Sequence, residues 1–242
     1  QTGLENAKSP LLGGFLSLIV PGAGEFYAES YLKSIIFIAI EAAAISTSVI
    51  YEGKGDDQTA SFENFAHEHW NAGRYARWTI TNLEIINPSL NPDDYTGLFI
   101  DVERTQVDWT VLNQLENDIG GYYSHRLAPF GDQQYFEMIG KYPQFNPGWD
   151  DFGDENTPFQ FGDEVTENFS FYSGERGKAN DYYNIASKAV IVTVINHVIS
   201  AIDAAWTTSR YNKNLKMKME LEKTNIGYST EYYPSLHIQY RF

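Results

Sequence analysis

Apolar residues concentrate in three stretches: PLLGGFLSLIV at 10–20, YLKSIIFIAIEAAAISTSVIY at 31–51 and IASKAVIVTVINHVISAIDAAW at 185–206. A helix that crosses a bilayer core needs about twenty residues. The second and third stretches reach that length. The first does not, and fits only a re-entrant segment or a span completed by its flanks. Tyr27 and Tyr31 precede the second stretch and Tyr51 ends it; Tyr182 and Tyr183 precede the third, and Trp206 and Tyr211 follow it. Rings with one apolar and one polar end favour the headgroup layer, so this placement predicts two membrane helices. The alternative is a pair of buried helices in a soluble or lipid-surface protein.

Between these stretches the pattern changes. From Asp57 to Ile80, Phe62, Phe65, Ala66, Trp70, Ala72, Tyr75, Ala76 and Trp78 recur at helical intervals, which predicts one helix. Val111, Leu112 and Leu115 predict a second over 108–119, and QQYFEMIG a short third over 133–140. NPSLNPDDYTG reads as a loop and GLFIDVERTQ as a short strand. Residues 142–172 are aromatic, acidic and rich in Gly and Pro; they predict an irregular packed region anchored by Trp149 and several Phe.

After the third apolar stretch, RYNKNLKMKMELEK reads as a basic helical continuation. SLHIQYRF alternates Leu236, Ile238, Tyr240 and Phe242 with polar residues, which predicts a half-exposed strand, with Pro234 dividing the end into two short strands. The expected fold is therefore mainly α: a hydrophobic helical hairpin, a third long apolar helix, an acidic helical and irregular middle domain, and a short C-terminal β-strand pair. The expected domains are 1–51, 52–183 and 184–242. A transmembrane barrel is excluded, because the chain lacks the repeated alternating segments of about ten residues that one requires.

Charge adds direction. The chain carries 32 acidic and 17 basic residues, a formal charge of −15. Segment 52–183 holds 24 of the acids and 8 of the bases. Such a chain repels phosphate backbones, so nucleic acid is excluded as a partner. Basic residues flanking a span stay cytoplasmic, and Arg210, Lys213, Lys216, Lys218 and Lys223 follow the third stretch. That places 52–183 outside the cytoplasm. The polar start QTGLENAKSP is what removal of a leader peptide leaves. With such a leader, the first two stretches would form a hairpin across the bilayer. The absence of cysteine removes disulfides, thiolate metal sites and thiol nucleophiles.

PGAGEFYAESYLKSIIF, preceded by SPLLGGFLSLIV, resembles the Pro-Gly-x-Gly-x-x-Tyr helical hairpin of the two-transmembrane-helix domain family. It is similar to a group of uncharacterised bacterial envelope proteins in which such a hairpin follows a signal peptide. HWNAGRYARW, QQYFEMIGKYPQFNPGWDD and NHVISAIDAAWTTSRYN resemble the same group. The resemblance implies a membrane or envelope setting and brings no catalytic residues. Glu25 stands where such hairpins often carry Gln or Arg.

Glu41 lies mid-way along the second apolar stretch, with Ser34 and Ser48 at heptad spacing. In the third, Thr193, Asn196, His197, Ser200, Asp203 and Thr207 make one polar stripe. Packed antiparallel about a shared midpoint, the two helices bring Glu41 to Asn196 and His197, and Lys33 near Asp203. The stripe reads as a polar seam that fixes helix pairing, or as a proton or ion relay through Glu41, His197 and Asp203. His67 and His69 stand about 200° apart on a helix and cannot chelate one ion. Asp150, Asp151 and Asp154 supply carboxylates of the kind calcium takes, without the EF-hand order. No nucleophile elbow and no P-loop occur. No cofactor is expected, and no catalytic residue is assigned. The expected function is non-enzymatic: a structural or assembly component of the cell envelope, in contact with membrane lipid and associating with itself or an envelope partner. The alternatives are a small transport or channel subunit using the stripe, and a hydrolase with its site around His125, Lys141 and Asp150.

Overall fold

Backbone geometry in the computed structural model is described for residues 7–160, 162–216, 219–226 and 229–236. The chain is mainly helical and divides into two compact units, one of residues 1–51 with 184–242 and one of residues 52–183. Two long helices each contribute to both: α3 (Tyr31–His69) and α8 (Glu167–Lys216). Both are long and apolar enough to cross a membrane.

The first unit begins with α1 (Pro10–Ile19), capped by Ser9, whose hydroxyl accepts from the Leu12 N–H at 3.3 Å, with Pro10 at the first helical position. Ten residues of helix span about 15 Å, half a bilayer core. The chain then turns at Gly22, whose φ of +92° suits glycine, into the short α2 (Ala23–Tyr27). From there α3 runs without Gly or Pro until Gly53. The two ends of α1–α2 meet, because Lys8 Nζ donates to the Tyr27 carbonyl at 2.6 Å and pairs with Glu29 at 2.7 Å. The α1–α2 segment thus enters and leaves on one side.

Small residues let this segment lie close against α8. A side chain on Gly13 would meet Thr208 Oγ1 at 2.5 Å, and one on Gly24 would overlap the Gly13 carbonyl and the Ala204 methyl group. The unit also holds an antiparallel pair of strands, β1 (Met219–Ile226) and β2 (Ser229–Leu236).

In the second unit an aromatic core is assembled from α3, α4 (Ala72–Thr81), α5 (Leu83–Ile86), α6 (Trp109–Ile119), α7 (Gln133–Met138) and the first turns of α8. Trp149 is fully buried and its indole donates to the Ile139 carbonyl at 3.1 Å. Trp70 donates likewise to Phe145 at 3.0 Å. Backbone bonds from Asn71 to Gly148 and from Asp150 to His69, both 2.9 Å, tie the end of α3 to the loop around Trp149. Both of these buried indoles thus have an acceptor, which lets the large rings fill a core without an orphaned donor.

Several expectations need correction. Residues 57–80 are not one helix: α3 stops at His69, Trp70 takes a strand-like bridge to Trp149, and Asn71 caps a new helix by accepting from the Arg74 N–H at 3.1 Å. The strand expected in GLFIDVERTQ reduces to a single bridge, Phe99 with Val107. The irregular region ends sooner than expected, since α8 starts at Glu167, eighteen residues before the apolar stretch. The basic helical continuation stops at Lys216 and is followed by β1. Pro234 does not divide the C-terminal end into two strands: it lies within β2, opposite Leu221 of β1, and Ile238, Tyr240 and Phe242 of SLHIQYRF lie outside the described residues.

Candidate functional site

The polar residues of the first unit lie inside it and the apolar ones outside. On α3, Leu32, Ile35, Ile36, Ile45, Val49 and Ile50 are exposed; on α8, so are Val190, Ile191, Val194, Ile195, Ile199 and Ile202. Ser17, Glu25, Ser34, Asn196, Ser200 and Thr208 are buried. Such an arrangement inverts the usual one in water, where burying polar groups costs free energy and exposing apolar ones gains nothing.

Three polar clusters run along α8. In the first, Lys33 Nζ lies 2.8 and 2.9 Å from the Asp203 carboxylate oxygens and donates to Thr207 Oγ1 at 3.0 Å. In the second, Glu25 is fully buried, and its carboxylate accepts from Ser17 Oγ at 2.6 Å and from Ser200 Oγ at 3.0 Å. The same two hydroxyls accept from backbone N–H groups of the turn, Ser17 from Gly24 at 2.8 Å and Ser200 from Gly22 at 2.9 Å. Each serine therefore satisfies a turn donor and the acid together.

The third cluster is built on Glu41. Asn196 Nδ2 donates to the Phe37 carbonyl and to Glu41 Oε2, both at 3.0 Å. His197 Nδ1 lies 2.7 Å from the Leu18 carbonyl, which only accepts, so Nδ1 carries a proton. His197 Nε2 then faces Glu41 Oε1 at 3.2 Å. One proton between those two atoms completes the contact, giving either a neutral acid on a neutral imidazole or a carboxylate on an imidazolium. Both forms have zero net charge, which suits an apolar surround.

The structure thus brings Glu41 to Asn196 and His197, Asp203 to Lys33, and Ser200 to Glu25. Sequence reasoning did not pair Ser17 with Glu25. Its signal was a serine inside the first apolar stretch, eight residues before an acid, with a glycine turn between them. His197 ends on a carbonyl, which accepts a hydrogen bond but cannot pass a proton onward.

In the second unit the expected chemical residues are dispersed. His125 stacks on Tyr142 at 3.5 Å and bonds Ser124 through Nδ1 at 2.9 Å. Lys141 pairs with Glu137 at 2.7 Å, and Asp150 meets His69 Nδ1 at 2.9 Å and the Asn168 amide at 2.7 Å. No hydrogen bond joins His125, Lys141 and Asp150 among the described residues. His67 lies instead against the rings of Phe130 and Phe136. Asp151 accepts from the Asn168 N–H at 2.8 Å at the start of α8, and Asp154 from the Asn156 N–H at 2.9 Å. These carboxylates serve loop geometry, and no group of three or more His, Asp or Glu poised for a metal occurs among the described residues.

Glu116 is the second unit's deeply buried acid. Tyr75 Oη donates to it at 2.7 Å and the Leu127 N–H at 2.9 Å. Burial pushes its carboxyl up to about 7, against the opposing pull of those two donors. The same unit holds a cavity of ≈ 570 Å³, walled by Trp78, Tyr122, Tyr123, Tyr142 and Phe159 with no charged side chain among its lining residues. No protein-family model, curated protein or solved structure matches the chain.

Proposed function

We propose that the protein is a non-enzymatic membrane component of the bacterial cell envelope. In this reading it works structurally, by association with itself or with an envelope partner. The observation that carries this reading is the inverted polarity of the first unit. Its exposed aliphatic faces on α1, α3 and α8 need an apolar surround, and about 31 Å of helix over 31–51 matches a bilayer core. The seam at Glu25, Glu41 and Asp203 holds the re-entrant segment, α3 and α8 together from within. Each ionisable group in it meets a partner, as groups at membrane depth must.

Two spans return the chain to the side it left. Lys8, Lys33, Arg210 and Lys213 mark the end of the first unit that carries α1's start and the far end of the apolar part of α8. The positive-inside rule makes that end cytoplasmic and sets the acidic segment 52–183 outside. A domain with three acids for every base is suited to the exoplasmic face, where no anionic inner leaflet repels it. The seam supports pairing over transport, because His197 ends on a backbone carbonyl and the three clusters have separate partners.

Carbonate extraction of membranes tests this reading. Retention in the pellet, with residues 52–183 open to protease only from outside, is the expected result. Release into the supernatant would refute the spanning helices.

A further inference from the structure

The geometry points to a second site on the acidic unit: a cleft on α4 that binds a small zwitterion of the α-amino-acid type. Arg74, Arg77 and Trp78 line it together with Pro147, Gly153, Asp154 and Glu155, around a volume of ≈ 120 Å³. It is independent of how the first unit meets the membrane.

Backbone carbonyls, not carboxylates, hold the two arginines. Of the eight bases in 52–183, Lys141, Arg176 and Lys178 pair with a carboxylate. Arg74 and Arg77 do not. Arg74 Nη2 donates to the carbonyls of Gly153 at 2.7 Å and Asp150 at 3.3 Å, while its buried Nε has no partner. Arg77 Nη1 donates to the Glu103 carbonyl at 3.1 Å. Carbonyls orient a guanidinium without neutralising it. Neither arginine makes an ion pair among the described residues, so two oriented positive charges share one cleft. Planar guanidinium forks match the two oxygens of a carboxylate.

The opposite wall narrows the ligand class. Asp154 is engaged with Asn156 and Thr157, but the Glu155 carboxylate makes no hydrogen bond or ion pair among the described residues. A dianion such as phosphate would face these two acids at close range. A carboxylate next to an ammonium satisfies both walls: the carboxylate meets Arg74 and Arg77, and the ammonium meets Glu155. Two arginines and two acids leave the cleft neutral, which again favours a ligand without net charge. The volume admits a small amino acid or the last residue of a peptide only if its amine is free or its amide N–H faces Glu155. Trp78, held by its indole bond to the Thr157 carbonyl at 2.9 Å, forms the apolar side.

Isothermal titration of the full chain in detergent, with L-alanine, acetate, methylammonium and phosphate as probes, tests the site. The site predicts saturable binding of L-alanine, tighter than acetate or methylammonium and tighter than phosphate. Arg77→Gln should weaken alanine about tenfold or more, the scale of losing one charge-assisted bond. Glu155→Gln should weaken alanine and leave acetate unchanged. Both variants should melt with the parent, since Arg74 still holds the 150–153 loop. No saturable alanine binding at millimolar concentration would overturn the proposal. So would tighter binding of phosphate, or alanine binding unchanged in both variants.

Discussion

Replacing Glu41 by Gln and by Leu separates the shape of the seam from its charge. Opposite an uncharged partner, a His197 protonated on Nδ1 presents a lone pair at Nε2, the atom that faces Glu41 at 3.2 Å. In Glu41→Gln the new amide can donate to that nitrogen and accept from Asn196 Nδ2, so every group keeps a partner. Glu41→Gln should therefore cost less than about 1 kcal/mol. Glu41→Leu leaves His197 Nε2 unpaired, while Asn196 keeps its bond to the Phe37 carbonyl. One buried polar atom without a partner costs about 1–3 kcal/mol. His197→Leu does worse, because it strands both Glu41 Oε1 and the Leu18 carbonyl. The double Leu variant should be better than the sum of its parts, with a coupling of about 1 kcal/mol, the size measured for such pairs in bilayers. Equilibrium unfolding in bicelles reads all four values. If Glu41→Gln proves as damaging as Glu41→Leu, an ionised carboxylate is required and the pairing argument fails.

Three further outcomes follow from the same geometry. Gly24→Ala should destabilise the re-entrant segment by more than about 2 kcal/mol, because its methyl group overlaps the Gly13 carbonyl backbone; limited proteolysis near residues 20–30 reports it, and an unchanged digest would refute the close approach. Glu116 has a folded pKa of about 7 against an ordinary 4.5, so its contribution is fully present below pH 4.5 and is lost as pH rises through 7. That loss is on the order of 3 kcal/mol across the window, and Glu116→Gln, in which Tyr75 turns its hydroxyl to accept, should flatten this part of the melting-temperature profile. Asn71→Ala removes the cap that restarts the helix after Trp70 and should cost about 1 kcal/mol by chemical denaturation; a change under about 0.3 kcal/mol would show that the bridge to Trp149 alone sets the break.

The three apolar stretches and the stripe on α8 were legible because apolar helices carry their signal in composition and in three- and four-residue spacing. Antiparallel packing about a midpoint then implies which positions face each other, as at Glu41 and His197 or Lys33 and Asp203. The division of the stripe among three partners was not legible. Ser200 belongs to Glu25 only because the α1–α2 segment folds back beside α8, and that depends on Gly13, Gly24 and Ala204 permitting contact. In the acidic unit, helix spacing continued across 57–80 although the chain breaks at Trp70. Periodicity cannot register a break when the residue at the break is itself a core residue. The start of α8 at Glu167 was hidden for the opposite reason. Residues 167–184 are too polar and aromatic to show a helical face, and Phe169, Tyr172 and Ala179 pack only once the core around Trp149 exists.

Because the chain has no cysteine, single cysteines can map its surround without background. Val194→Cys and Ile202→Cys lie on the exposed apolar face of α8, and Val102→Cys lies on the surface of the acidic unit. In intact membranes a water-soluble maleimide should label Val102→Cys rapidly from outside. Both α8 variants should stay unlabelled until detergent is added. Labelling of Val194→Cys at the rate of Val102→Cys would contradict a membrane around the first unit, and with it the role of the polar seam.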